Sequence, residues 1–191
     1  SDLKEYNYDI SHEFYLTLLG RNIPSIKSIF IEIYGDDFPF DEIYPKKSKL
    51  ATETVDKNGV IVKGGVHELI DYLKDNKYKI AVATSTREER AHKLLSEIDV
   101  LDKVDYIICG DQVQNSKPNP EIFLKAAKVL DVEPEVCAVI EDSEAGILAA
   151  NAANMKGFNV PDMKMPDDNM KRLAFKICDD LIEVKNYFEA L

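Results

Sequence analysis

The stretch "VCAVIEDSEAGILAANAANM" (residues 136–155) decides how this chain is read. Apolar residues 136–140 run straight into two adjacent carboxylates, Glu141 and Asp142, and a small-residue helical pattern follows at once. A short apolar run with polar ends reads as a buried strand, and an alanine-rich helix can lie close against a sheet. Two like charges side by side repel each other, and taking both out of water is costly unless a cation sits with them. The plainer alternative is that the acids cap the helix at the positive end of its dipole.

The same grammar recurs on either side. "YKIAVATS" (78–85), "DYIICGD" (105–111), "KGFNV" (156–160) and "FKICDD" (175–180) read as further short strands. Thr86 with Glu89 has the spacing of a capping box opening a helix. In "NPEIFLKAAKVLDV" (119–132), Asn119 is a candidate cap and Pro120 fits a first helical turn. Phe123, Ala126, Ala127 and Leu130 then share one helix face. Short apolar strands alternating with amphipathic helices predict a parallel sheet covered on both faces, an α/β fold of three layers with a Rossmann-like core.

The first fifty-odd residues carry helical patterns only. In "PSIKSIFIEIYG" (24–35) Ile26, Ile29, Phe30, Ile33 and Tyr34 form one apolar stripe closed by Gly35. Ser11 is a candidate N-cap and Gly20 a stop for the preceding helix, and "FPFDEIYPKKSKLATETVDKNG" (38–59) reads as a helical stretch interrupted by Pro45. The expected division is a small helical domain over residues 1–57, its first helix incomplete, and an α/β core over 58–191.

Composition narrows the function. A net charge of −11 disfavours unaided binding to nucleic acid or anionic lipid, though a local positive pocket can still take a small phosphorylated ligand. No apolar run approaches the roughly 18 residues that span a bilayer. Cys109, Cys137 and Cys178 are odd in number, far apart and set in apolar surroundings, as buried thiols in a reducing compartment are. The expected location is the cytoplasm.

Ligands of open α/β sheets bind beyond the strand carboxyl ends. After "KIAVA" come Thr84, Ser85 and Thr86, hydroxyls beside a helix N-terminus and suited to an oxyanion. After the second strand, Lys117 is fixed between Ser116 and Pro118, where an ammonium can neutralise phosphate or a neighbouring acid. After the third come Glu141 and Asp142. Each has a bland reading as a cap or a solvated charge. Together they describe a site for phosphate and Mg²⁺, an ion that favours one or two carboxylates, water and phosphate oxygens.

At this point the chain resembles the haloacid dehalogenase (HAD) superfamily, in particular its β-phosphoglucomutase-like group with a helical cap, through "KIAVATST", "SKPNPEIF" and "AVIEDSEAG". The resemblance implies that Thr84 binds the transferring phosphoryl group, that Lys117 balances charge around it, and that Glu141 and Asp142 hold Mg²⁺, with Asp142 the direct ligand. The family's other motif, D-x-D at the end of the first strand, supplies a nucleophile and a general acid/base. No two aspartates here stand two positions apart, and the chain opens inside what would be the first cap helix. Four apolar side chains of a central strand would contribute ~6–12 kcal/mol, comparable with the ~5–15 kcal/mol net stability of a domain. The expectation is therefore a missing N-terminal piece, cut off or supplied as a separate fragment of the same protein that completes the sheet.

The implied activity is a Mg²⁺-dependent phosphatase acting on a small, sugar-phosphate-like metabolite through an aspartyl-phosphate. A phosphomutase is the alternative, with Arg21, Lys46 or Lys47 as anchors for a second phosphate, and a catalytically inactive fragment or binding protein is the next. Dehalogenation needs no metal and leaves the acidic pair unexplained. Phospho-receiver modules order their acids and lysine differently along the chain.

Overall fold

The computed structural model describes residue 6 and residues 8–191. Three helices come first: α1 (His12–Thr17), α2 (Ile23–Tyr34) and α3 (Phe40–Asn58). Ser11 caps α1 by accepting from Phe14 N (3.1 Å), Asn22 caps α2 in the same way, and Gly35 and Gly59 end α2 and α3 with positive φ. The helices bury their own cluster of Leu18, Phe30, Phe38, Phe40 and Ile43. Pro45 does not interrupt α3 as its sequence suggests. Its missing N–H deprives one carbonyl of a helical partner, but Asp41 and Pro45 are both exposed, so the loss falls on the solvent side of the helix.

The rest alternates strand and helix: α4 (Val66–Asp75), β1 (Ala81–Ala83), α5 (Glu88–Glu97), β2 (Tyr106–Ile108), α6 (Glu121–Leu130), β3 (Ala138–Glu141), α7 (Glu144–Ala152), β4 (Lys156–Asn159), α8 (Asp168–Leu173), β5 (Lys176–Ile177) and α9 (Leu181–Glu189). Every ladder is parallel. The capping box predicted at Thr86 and Glu89 does not form. Helix α5 starts later, with Arg87 as its N-cap residue and no side-chain cap, and its Glu88 N–H faces the Asp111 carboxylate at 3.3 Å. The cap read at Asn119 is displaced: Pro120 occupies the N-cap position of α6 rather than its first turn, and Asn119, one residue earlier, accepts from Glu121 N at 3.0 Å through Oδ1.

Among the described residues the strands form two sheets, β1-β2 and β3-β4-β5. Both lie between the same helical layers. Ala81, Ala83 and Val139 pack on the cluster built by Ile122, Phe123, Ala149 and Ala150 of α6 and α7. Ile80 and Ile140 face the opposite cluster, where Leu69 and Leu73 of α4 meet Leu181 and Val184 of α9. This is a Rossmann-like α/β arrangement of three layers whose middle layer is interrupted between β1 and β3. The consequence shows in burial: residues 80–85 are only half-buried, and Ala138 is exposed.

Candidate active site

The carboxyl ends of β1 and β3 and the loop after β2 open on one cleft of about 530 Å³. Of the residues singled out in the sequence, Thr84, Ser85, Thr86, Lys117, Glu141, Asp142 and Arg21 all line it. Lys46 does not. It sits exposed on α3, 3.1 Å from Glu42 one turn away and bonded to the Tyr6 hydroxyl, so a local ion pair takes its charge. Lys47 lines a different cavity, inside the helical layer.

Lys117 is held by the loop that carries it. The Glu121 carboxylate accepts from Gln114 N (2.9 Å), Asn115 N (2.8 Å) and Asn115 Nδ2 (3.0 Å) and pairs with Lys125. Lys125 and these amides pull the Glu121 pKa down to about 2. The Lys117–Pro118 peptide is cis, and Lys117 itself is only 5% exposed. Its ammonium donates to Glu141 and to Ala83 O (3.3 Å) and stands 4.9 Å from the Phe123 ring centroid. One cation thus ties the end of β1 to the end of β3 across the interruption in the sheet.

Glu141 is fully engaged. Besides Lys117 it accepts from Ser143 Oγ (2.9 Å) and Ser143 N (3.3 Å), while Ser143 Oγ also accepts from Gly146 N (3.1 Å) as the cap of α7. Gly146 makes room for this: a Cβ there would stand 2.1 Å from the Glu141 carboxyl carbon. Asp142 is different. Desolvation in the cleft, then the charges of Glu141 and Asp162, push its carboxyl above the usual range. The adjacent acids therefore divide their work, one occupied with Lys117 and the other left electrostatically unsatisfied. Among the described residues no three His, Cys, Asp or Glu side chains form a metal-holding group. A Mg²⁺ ion needs fewer, one or two carboxylates with phosphate and water completing the octahedron, so Asp142 with open cleft beside it suits that ion.

The hydroxyls also diverge. Thr84 Oγ1 accepts from Thr86 N (3.1 Å), which leaves its proton for an acceptor in the cleft. Ser85 Oγ donates instead to Gly20 O (2.8 Å) in the helical layer. Three lining or supporting residues were missed by the sequence reading. Lys63 donates to Pro161 O (2.8 Å) and Asp162 (3.2 Å) at the cleft wall. Buried Asn159 donates to Glu141 O (3.2 Å) and fixes the end of β3. Ser143 alone was findable, as a serine directly before a helix.

A parallel α/β core with an ammonium, a hydroxyl and an acid converging beyond its strand ends is a scaffold for binding small anions. The chain belongs to the haloacid dehalogenase-like hydrolase family, whose profile matches residues 2–160. It is 35% identical over 114 residues to a phosphorylated carbohydrates phosphatase of Thermotoga maritima, covering 60% of this chain and 50% of that protein. It is 42% identical over 91 residues to the β-phosphoglucomutase of Bacillus subtilis, covering 48% and 39%. The matched region thus spans half or less of the length of these two curated relatives. Among solved structures, the β-phosphoglucomutase of Clostridium difficile superposes with a TM-score of 0.77 at 26% identity, over 98% of this chain and 87% of that one. A hydrolase from Pseudomonas syringae shares the fold with a TM-score of 0.84 at 24% identity, over 100% and 88%.

Proposed function

We propose that the complete protein is a Mg²⁺-dependent phosphatase of small phosphorylated metabolites, working through an aspartyl-phosphate. The observation that carries this reading is the convergence of Thr84, Lys117 and Asp142 on one cleft. Names of relatives that act on phosphorylated carbohydrates or β-phosphoglucose agree with it. Residues 1–57 act as the cap and residues 58–191 as the core, in the cytoplasm.

The nucleophile belongs to a strand that fills the interruption between β1 and β3, contributed by an upstream segment or a separate fragment of the same protein. Support comes from the shared helical layers on either side of that interruption and from the unpaired edges they leave. In the reaction, an aspartate oxygen on that strand forms a bond to phosphorus as the bond to the substrate alcohol breaks. A second acid protonates the departing alkoxide, and water then releases phosphate. Thr84 donates to a non-bridging oxygen, and Lys117, oriented by Glu141, offsets charge at the phosphoryl group. Asp142 would hold Mg²⁺, which supplies neutralisation of the phosphoryl oxygens.

The test is turnover by the complete protein, with p-nitrophenyl phosphate and hexose phosphates as substrates. Release of inorganic phosphate that EDTA stops and Asp142→Asn abolishes is the expected result. Isomeric hexose phosphate as the product would replace it with the mutase reading. Full turnover by residues 1–191 alone would eliminate the inserted strand.

A further inference from the structure

Between the last residue of β3 and the N-cap of α7 stands a single residue, Asp142. The side chains on either side of it are tied down: Glu141 by Lys117 and Ser143, and Ser143 by Gly146 N. Asp142 is held from the next strand instead. The ladder between β3 and β4 ends where Val160 N donates to Glu141 O at 2.9 Å. Beyond that point the side chain of Asn159 takes over, its Nδ2 donating to Glu141 O (3.2 Å) and to Asp142 O (3.5 Å). Among the described residues no other group donates to the Asp142 carbonyl. The amide thus does, one residue past the strand end, what a backbone N–H does within the sheet.

Stability does not account for an asparagine at this place. Phe158 and Val160 face the cluster of α4 and α9. Asn159 therefore lies on the other side of β4, with Gly157, where an added Cβ would touch Ile147 and Ala150 of α7. It is fully buried, and among the described residues its Oδ1 has no hydrogen-bond donor. A buried acceptor left unpaired costs free energy that an apolar side chain of the same shape does not. Leucine has that shape, so the use of an amide here points to the donor it supplies.

We infer that Asn159 is a positioning residue: its amide fixes the Asp142 peptide and so aims the Asp142 carboxylate into the cleft for a divalent cation. The inference rests on the Mg²⁺-dependent reading of the site and names the group that supports the ion's ligand from behind. Backbone geometry decides which side-chain rotamers are open. A turn held at its carbonyl spares the carboxylate part of the ordering that ion binding would otherwise require.

The experiment is a Mg²⁺ titration of the complete protein, followed by NMR at the Ser143 amide, with urea unfolding in EDTA beside it. Asn159→Leu removes both the donor and the unpaired acceptor. Its urea midpoint is expected at or above the wild-type value, while its Kd for Mg²⁺ rises about 10-fold or more. Phe158→Leu, on the opposite face of the same strand, controls for damage to β4 alone: its midpoint should fall while its Kd stays at the wild-type value. An unchanged Kd in Asn159→Leu, or an equal rise in Phe158→Leu, overturns the inference and leaves the metal site standing. Should Asn159→Leu not fold, the wild type decides. The Asn159 side-chain amide protons are expected to resist exchange and to shift as Mg²⁺ binds. Protons that exchange as freely as those of an exposed asparagine, or that stay in place through the titration, overturn the inference. A wild type that binds no Mg²⁺ removes the metal reading together with it.

Discussion

The strongest test of the site is Lys117→Met. The methionine keeps most of the side-chain length, so packing on Phe123 changes little while the ammonium goes. Glu141 then keeps only its Ser143 donors, in a place where its side chain is 9% exposed. Breaking a buried pair by removing one partner costs about 3–5 kcal/mol, because the remaining charge is uncompensated. For a chain of this size that is a fall in Tm of roughly 6–20 °C. Urea unfolding followed by circular dichroism gives the free energy directly. The double variant Lys117→Met/Glu141→Leu should recover most of the loss, since the pair is then replaced by apolar groups, with a coupling of at least ~2 kcal/mol. Phosphatase activity should stay absent in both. A single-variant cost below ~1 kcal/mol, or additive effects in the cycle, would falsify the assignment of Glu141 to Lys117.

The other expectations concern neighbouring groups. Glu121 titrates near 2 in the fold against an ordinary 4.5, so its stabilisation is complete above about pH 4.5 and is lost as pH falls towards about 2. Glu121→Gln should remove that slope from acid-unfolding curves, and identical curves for variant and wild type would refute the anchoring of the loop. Asp142 has the opposite sign: its raised carboxyl makes the fold bind a proton more tightly than the open chain, so stability falls as pH rises from its unfolded value through the raised one. Asp142→Asn should abolish that fall, and should remove the rise in Tm expected when Mg²⁺ is added to the wild type. A Tm response to Mg²⁺ that survives the substitution would place the ion elsewhere. Gly146→Ala drives a Cβ into the Glu141 carboxylate and should cost ~1–3 kcal/mol with loss of activity. Wild-type stability in that variant would mean the carboxylate moves freely.

Much of the core was legible because strand ends and helix starts are local events. The run at 136–142 placed β3 and its acids together, and the fixed lysine between Ser116 and Pro118 landed where a neighbouring strand end also arrives. The division of labour between Glu141 and Asp142 was not legible. It depends on where Lys117 and Asp162 come to rest, 24 and 20 residues away in sequence from the acids they address. The failure of Lys46 has the same origin in reverse: Glu42 one helical turn away captured a charge that residue type alone could not assign. Lys63 lies in a segment without periodicity and Asn159 at the end of a predicted strand, and only tertiary placement gives either a role at the cleft.

Ser143 is touched from two sides. Beneath it lies the Glu141 carboxylate, and above it Gly20, at φ 77°, where an added Cβ would come within 2.5 Å of the Ser143 oxygen. The helical layer therefore rests on the very hydroxyl that aims the buried charge pair, and the absence of a side chain at position 20 sets how closely it can approach. Adding a single methyl group there would tilt the serine, and Lys117 would register the spacing between the helical layer and the sheet through Glu141.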